Sequence, residues 1–193
     1  MTLTQAAIGN ASTLRKAGLV LAGTLLIAIA AQIKVPMFPV PMTLQTLAIL
    51  GVGMAFGARM GAVTVLAYLA EGFAGLPVFA SFGAGPAYFA GPTAGFLLGF
   101  VGMAWVAGWV AEQSRSFAVM AGGALLASAL LYLPGLAWPL GLAQVAGVDA
   151  GWASLTPGAV WSAFAAPFLI GDAVKAVIAA LIVAGGWTAL TRR

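Results

Sequence analysis

Long runs without a single charged residue dominate this sequence, and they limit what it can fold into more than any motif does. Charged residues make up 6% of the chain and hydrophobic ones 63%, with a mean hydropathy of +1.09. A soluble domain of 193 residues has no interior large enough to hide that much apolar surface, so the expectation is an all-α integral membrane protein. The 26 glycines fit that expectation, because small residues let membrane helices approach closely. Gly53-x-x-x-Gly57-x-x-x-Gly61 and Gly95-x-x-x-Gly99 have the spacing for packing between neighbouring helices.

Six spans can be drawn, at about 17–33, 42–57, 60–76, 92–111, 117–135 and 167–190, guided by the ~20 residues needed to cross the hydrocarbon. The second and third are separated only by Gly57-Ala58-Arg59-Met60-Gly61, which reads as a tight cytoplasmic turn. With the N-terminus inside, Arg15, Lys16, Arg59, Arg115, Arg192 and Arg193 fall on the cytoplasmic side, together with Glu112. Lys34 falls outside, with Glu71 and Asp149 at or near the outer face. That distribution obeys the positive-inside rule and requires an even number of spans, with both termini cytoplasmic. Arg15-Lys16, the apolar run after them and Ala28-Ile29-Ala30 imitate a secretory signal peptide. A hydrophobic membrane body follows, so an uncleaved first helix is expected. No linker or internal repeat interrupts residues 1–193, which read as a single transmembrane domain.

Against this background two charges stand out. Asp172 and Lys175 lie in the greasy C-terminal stretch from Pro167 to Val183. An ion near the centre of a spanning helix costs roughly 2.5–3.5 kcal/mol on insertion scales, and less near its end. Their i, i+3 spacing puts both heads on one helix face, where they can share a polar partner. The functional reading is a binding site facing the bundle interior. The competing reading is a self-satisfied ion pair with a packing role.

Two loops on the expected outer side are also unusual. Lys34 to Gln45 carries Pro36, Pro39 and Pro41, which preclude a helix and favour a stiff extended segment. Gly75 to Thr93 is apolar and aromatic, yet its glycines and prolines forbid regular structure. Irregular backbone that hydrophobic belongs in protein or along a cavity. This suggests a re-entrant lid with walls from Phe79, Phe82 and Tyr88, against the alternative of packing on the outer membrane surface. The long connector 137–166, with Trp138, Trp152 and Trp161, is assigned to the outer interface and given no chemistry.

Much familiar chemistry is missing. The chain has no His and no Cys, which removes thiol catalysis, the usual zinc sites and imidazole acid–base work. There is no phosphate-binding Gly-x-x-x-x-Gly-Lys-Ser/Thr loop, so the chain has no ATPase engine of that kind. No catalytic set, metal or cofactor is expected, and basic residues scattered at segment ends point to topology, with no nucleic acid among the partners.

Four motifs then converge. Pro39-Val-Pro41-Met-Thr43-Leu-Gln45-Thr-Leu, Gly75-Leu-Pro77-Val-Phe79-Ala, Gly91-Pro92-Thr93-Ala-Gly95-Phe96-Leu-Leu-Gly99-Phe and Pro167-Phe-Leu-Ile-Gly171-Asp172-Ala-Val-Lys175-Ala together resemble the BioY family. That family comprises the biotin-specific substrate-binding (S) components of energy-coupling factor transporters. The match covers spans 1–4 and 6, and residues 115–165 carry little of it. The resemblance implies a six-helix S-component fold, biotin held near the outer face, and partnership with a membrane coupling (T) protein and two ATPase subunits. It further implies a bacterial inner-membrane location and a small-residue face on the first helix for the T protein. Here that face corresponds to Thr24-x-x-x-Ala28, preceded by Gly18-x-x-x-Ala22, with Thr where the family has Ala. Ala94 stands where the family often has Gly.

Biotin suits these residues chemically. Its ureido ring offers two N–H donors and a carbonyl, so Asp172 can accept and Lys175 can donate; alternatively Lys175 meets the tail carboxylate. Gln45 and Tyr88 are the next polar candidates, each with a structural alternative as helix bridge or interface anchor. An S component for another vitamin, a solitary biotin carrier and a non-transporting scaffold are the competing functions. An intramembrane enzyme is the weakest, since no nucleophile–base set can be assembled.

Overall fold

A computed structural model describes residues 2–8 and 12–191 of the chain. A short helix α1 (Leu3–Ile8) precedes α2 (Thr13–Gln32), whose N-terminus is capped by the Ser12 hydroxyl. The strands β1 (Lys34–Val35) and β2 (Met42–Thr43) lead into α3 (Gln45–Phe56) and α4 (Ala58–Phe73). Then come α5 (Ala94–Gln113) and α6 (Phe117–Ala137), followed by the short α7 (Ala143–Val145), α8 (Pro157–Phe164) and α9 (Leu169–Thr191). The expected positions of Arg192 and Arg193 lie outside the described residues.

Each expected span has a helix, but they are unequal. Helices α2, α5, α9 and α6 with its extension to Val145 are long and apolar enough to cross a membrane. Helix α3 has 12 residues, a rise of about 18 Å against a hydrocarbon thickness of ~30 Å. It starts three residues later than expected because Met42 and Thr43 are spent in β2. The turn into α4 is also tighter than the Gly57–Gly61 reading. Gly57 alone makes it, at φ +86°, a conformation that costs little only for glycine. Arg59 and Gly61 already belong to α4.

Helix α5 is the central element and packs against α6, α3 and α4, while α9 closes the bundle against α6 and α3. The small residues do what their spacing suggested. An added Cβ on Gly53 would sit 2.5 Å from the Ala104 carbonyl oxygen of α5, and one on Gly61 would meet the backbone of Gly53. Ile49, Leu50, Met54, Val65, Tyr68, Met103 and Met120 fill the core between these helices. At one end the Glu112 carboxylate accepts from the Ala58 N–H at 3.0 Å, and the Arg115 guanidinium lies 4.2 Å from the Trp187 ring centroid. That end gathers the N-terminus of α4, the α5–α6 link and the last turns of α9.

The opposite end differs from an all-helical expectation. β1 and β2 pair antiparallel, Lys34 opposite Thr43 and Val35 opposite Met42, so the proline segment is a short hairpin-like loop. The Gly75–Thr93 loop holds two 3-10 turns, Ala80–Phe82 and Pro86–Ala90, where no regular structure was expected. Short 3-10 turns tolerate Pro and Gly at their edges, which explains the difference. The connector is likewise ordered: α6 runs on through a π turn (Trp138–Leu142) and α8 folds back over the bundle. Pro157 sits at the start of α8 behind the Thr156 cap, the position where a missing N–H does no harm.

Candidate functional site

At this end the start of α9 presents Asp172 and Lys175, each 7% exposed. The i, i+3 spacing brings Lys175 Nζ to 2.8 Å from Asp172 Oδ1, the one salt bridge among the described residues. Asp172 lies in the first turn of α9, where the helix dipole favours a carboxylate. Both ions are met by neighbouring elements. Thr46 of α3 donates to Asp172 Oδ1 at 3.1 Å and accepts from Lys175 Nζ at 3.1 Å. Tyr132 of α6 donates to Asp172 Oδ2 at 2.6 Å, and the Thr43 carbonyl of β2 accepts from Lys175 at 2.9 Å. An ammonium has three donors and all three are used here, while the carboxylate keeps a lone pair in reserve. The group is a closed network, and it is electrically neutral as a whole.

The network forms one wall of a cavity. Val40, Pro41 and Met42 of the proline loop line its rim, Phe96 and Phe100 of α5 one side, and Phe164 and Phe168 the side toward the connector. Tyr88 and Ala80 contribute from the loop between α4 and α5. Its lining therefore combines aromatic and aliphatic surface with one polar corner, the general make-up of a small-molecule site.

The expected site residues separate into two groups. Asp172, Lys175, Gln45 and Tyr88 all reach the cavity. Gln45 is buried and bridges within the bundle: its amide nitrogen donates to the Tyr68 hydroxyl at 2.8 Å, and its carbonyl accepts from Thr43 Oγ1 at 3.1 Å. Tyr68 in turn donates to the Val78 carbonyl at 2.9 Å, so Gln45 also steadies the loop. Burial pushes the Tyr88 phenol above its ordinary pKa, with hydrogen bonds to Thr93 and the Ala80 backbone opposing the shift. The hydroxyl is therefore neutral at physiological pH.

Phe79 and Phe82 are not on the cavity wall. Phe79 is fully buried behind it, stacked on Tyr88 with centroids 4.7 Å apart and edge-on to Tyr68, so it backs Tyr88 and does not face the cavity. Phe82 points outward and is 68% exposed, because Ser81 and Phe82 both adopt positive φ and turn the chain over. The Gln32 side chain at the end of α2 holds that turn, donating to the Phe79 carbonyl at 2.9 Å and accepting from the Phe82 N–H at 3.1 Å.

The expected partner face on α2 also divides. Gly18 and Ala22 are exposed and Ala28 is half-buried, but Thr24 is 3% exposed and turned into the bundle, bonded to the Leu21 carbonyl at 3.0 Å. A residue buried against the chain's own helices offers no surface to another protein. The small-residue register that stays outside is Gly18-x-x-x-Ala22.

Sequence reasoning passed over Tyr132, Thr46, Phe164 and Phe168. A lone phenol in the run Leu130-Leu131-Tyr132-Leu133 was the available signal, since a buried hydroxyl in a span needs a partner. Thr46 adjoins Gln45 in the first quoted motif. Phe168 stands in the fourth motif, four residues before Asp172, whereas Phe164 of the connector had no local signal, because only the fold-back of α8 brings it to the cavity. The connector's Trp138 is likewise no plain surface anchor: the indole N–H donates to the Gly91 carbonyl at 3.0 Å and ties the connector to the loop before α5.

Comparison with known proteins bears on the whole chain. A family model described as the BioY family matches residues 4–192. A biotin transporter BioY of Rhizobium etli is 37% identical over 163 residues, covering 78% of this chain and 79% of that protein. A probable biotin transporter BioY of Pyrococcus horikoshii is 32% identical, covering 81% and 86%. The crystal structure of an S-component for biotin from an ECF-type ABC transporter superposes with a TM-score of 0.70 over 91% of this chain and 93% of the other, at 23% identity.

Proposed function

The chain is a member of the BioY family with the S-component fold, a multi-pass membrane protein and not an enzyme, and on that premise we propose that it captures biotin at the outer face of the membrane for import. The observation that carries this reading is the buried Asp172–Lys175–Thr46–Tyr132 network opening on an aromatic cavity. A bicyclic, largely apolar head with a ureido edge matches that combination. Its N–H groups can use the lone pair Asp172 holds in reserve, and its carbonyl can compete with the Thr43 carbonyl for Lys175. Tyr88, Phe96, Phe100 and Phe164 supply the apolar contact.

Six spans, α2, α3, α4, α5, α6 and α9, carry the chain across the membrane with both termini cytoplasmic. The clustering of Arg59, Glu112, Arg115 and Trp187 at the end away from the cavity supports that orientation, together with Arg15 and Lys16 at the start of α2. Import is driven by partners, a membrane coupling protein and two ATPase subunits, since the sequence offers no nucleotide-binding loop of its own. The coupling protein docks on the exposed side of α2 that includes Gly18 and Ala22, in a bacterial cytoplasmic membrane.

The test is calorimetric binding of biotin to the purified chain in detergent, beside Asp172→Asn. Tight saturable binding by the wild type, weakened at least a hundredfold in the variant, is expected from loss of a charged acceptor in a buried site. A well-folded wild type that ignores biotin would leave the scaffold reading standing.

A further inference from the structure

We infer that Lys34 receives the ligand's carboxylate at the outer mouth of the cavity, a specificity contact beyond the Asp172–Lys175 floor. The inference rests on the biotin reading above. It begins with charge. Lys175 has all three donors engaged, one of them by Asp172, so the floor carries no surplus positive charge. An ionised carboxylate pushed against it would add an uncompensated negative charge at a buried site beside Asp172. The neutral head of the ligand fits there, and the ionised tail has to be met elsewhere.

Lys34 is placed to meet it. The β1–β2 pairing sets Lys34 directly opposite Thr43, a cavity-lining residue whose carbonyl Lys175 uses. Its side chain crosses to the other loop, where the ammonium donates to the Ser81 hydroxyl, beside the cavity-lining Ala80. The residue is exposed, so its ammonium is hydrated and available. No carboxylate of the chain is paired with it among the described residues. Arg59 and Arg115 belong to the opposite end, next to Glu112 and Trp187. Lys34 thus bridges the two loops that bound the mouth and brings a positive charge to that rim.

The experiment compares biotin with its methyl ester, which keeps the head and loses the charge. Affinities of both are measured in detergent for wild type, Lys34→Gln, Lys34→Arg and Ser81→Ala. The expected result is a loss for biotin of roughly tenfold in Lys34→Gln, with the ester unchanged and Lys34→Arg close to wild type. Ser81→Ala keeps the cation and should keep the preference for biotin over the ester. An equal loss for biotin and ester in Lys34→Gln, or the same pattern in Ser81→Ala, means that Lys34 only ties the loops together and overturns the inference. Unchanged biotin affinity in Lys34→Gln overturns it too, and both of these results leave the biotin reading intact. If the wild type binds neither compound, the biotin reading falls and takes this one with it.

Discussion

Thr46 occupies the pivotal atom position in the site: one hydroxyl donates to the carboxylate of Asp172 and accepts from the ammonium of Lys175. Without it, each ion would face the other with fewer hydrogen bonds in a poorly hydrated corner. Removing one partner of such a pair is expensive, about 3–5 kcal/mol, because the other is left buried and uncompensated. Replacing both with neutral residues of similar shape is often harmless to stability. Asp172→Asn or Lys175→Met alone should therefore lower the thermal midpoint in detergent clearly. The double variant should recover most of it while remaining unable to hold biotin. Recovery of binding along with stability would mean that the pair only supports packing. At this scale the sequence was legible where charge was scarce, since two ions in an apolar run must meet polar partners, whether a ligand or each other. It was not legible for Tyr132 and Thr46, whose hydroxyls fit any membrane helix until a partner from another helix is known.

Among the elements, the segment after α4 depends most on a distant helix. The turn at Ser81 and Phe82 runs through left-handed backbone, which L-residues adopt at a cost, and Gln32 of α2 pins it by one accepted and one donated bond. Gln32→Leu keeps the shape and removes both bonds. With about 0.5–1.5 kcal/mol for each, hydrogen exchange at the amides of 79–83 should accelerate roughly 5- to 150-fold, while the protection of α5 stays as it was. Uniform loss of protection throughout the bundle would show that Gln32 instead supports the fold as a whole. The helices themselves were readable from hydropathy, and the spacing of Gly53 and Gly61 announced their close approach. The aromatic loop misled because alternate burial within a non-repeating backbone has no period. Phe79 and Phe82 are near neighbours, yet one is wholly inside and the other outside.

For the whole molecule, orientation is the property to settle, and the absence of cysteine makes it tractable. Single-cysteine variants have no background to subtract. In right-side-out vesicles Ser81→Cys should react with a membrane-impermeant maleimide, and Ser114→Cys, in the α5–α6 link, should react only after the membrane is opened. The reverse pattern would invert the topology and put the cavity on the cytoplasmic side.

The neutrality of the Asp172–Lys175 group reaches further than the resting site. A membrane potential acts on a moving charge at about 2.3 kcal/mol per elementary charge per 100 mV. Two opposite charges held 2.8 Å apart travel together and present the field with a small dipole and no net charge. Any rearrangement that turns this corner of the protein from one face of the membrane toward the other is, for these two residues, nearly electroneutral. For such a rearrangement the voltage across the membrane neither drives nor resists the passage of these two side chains.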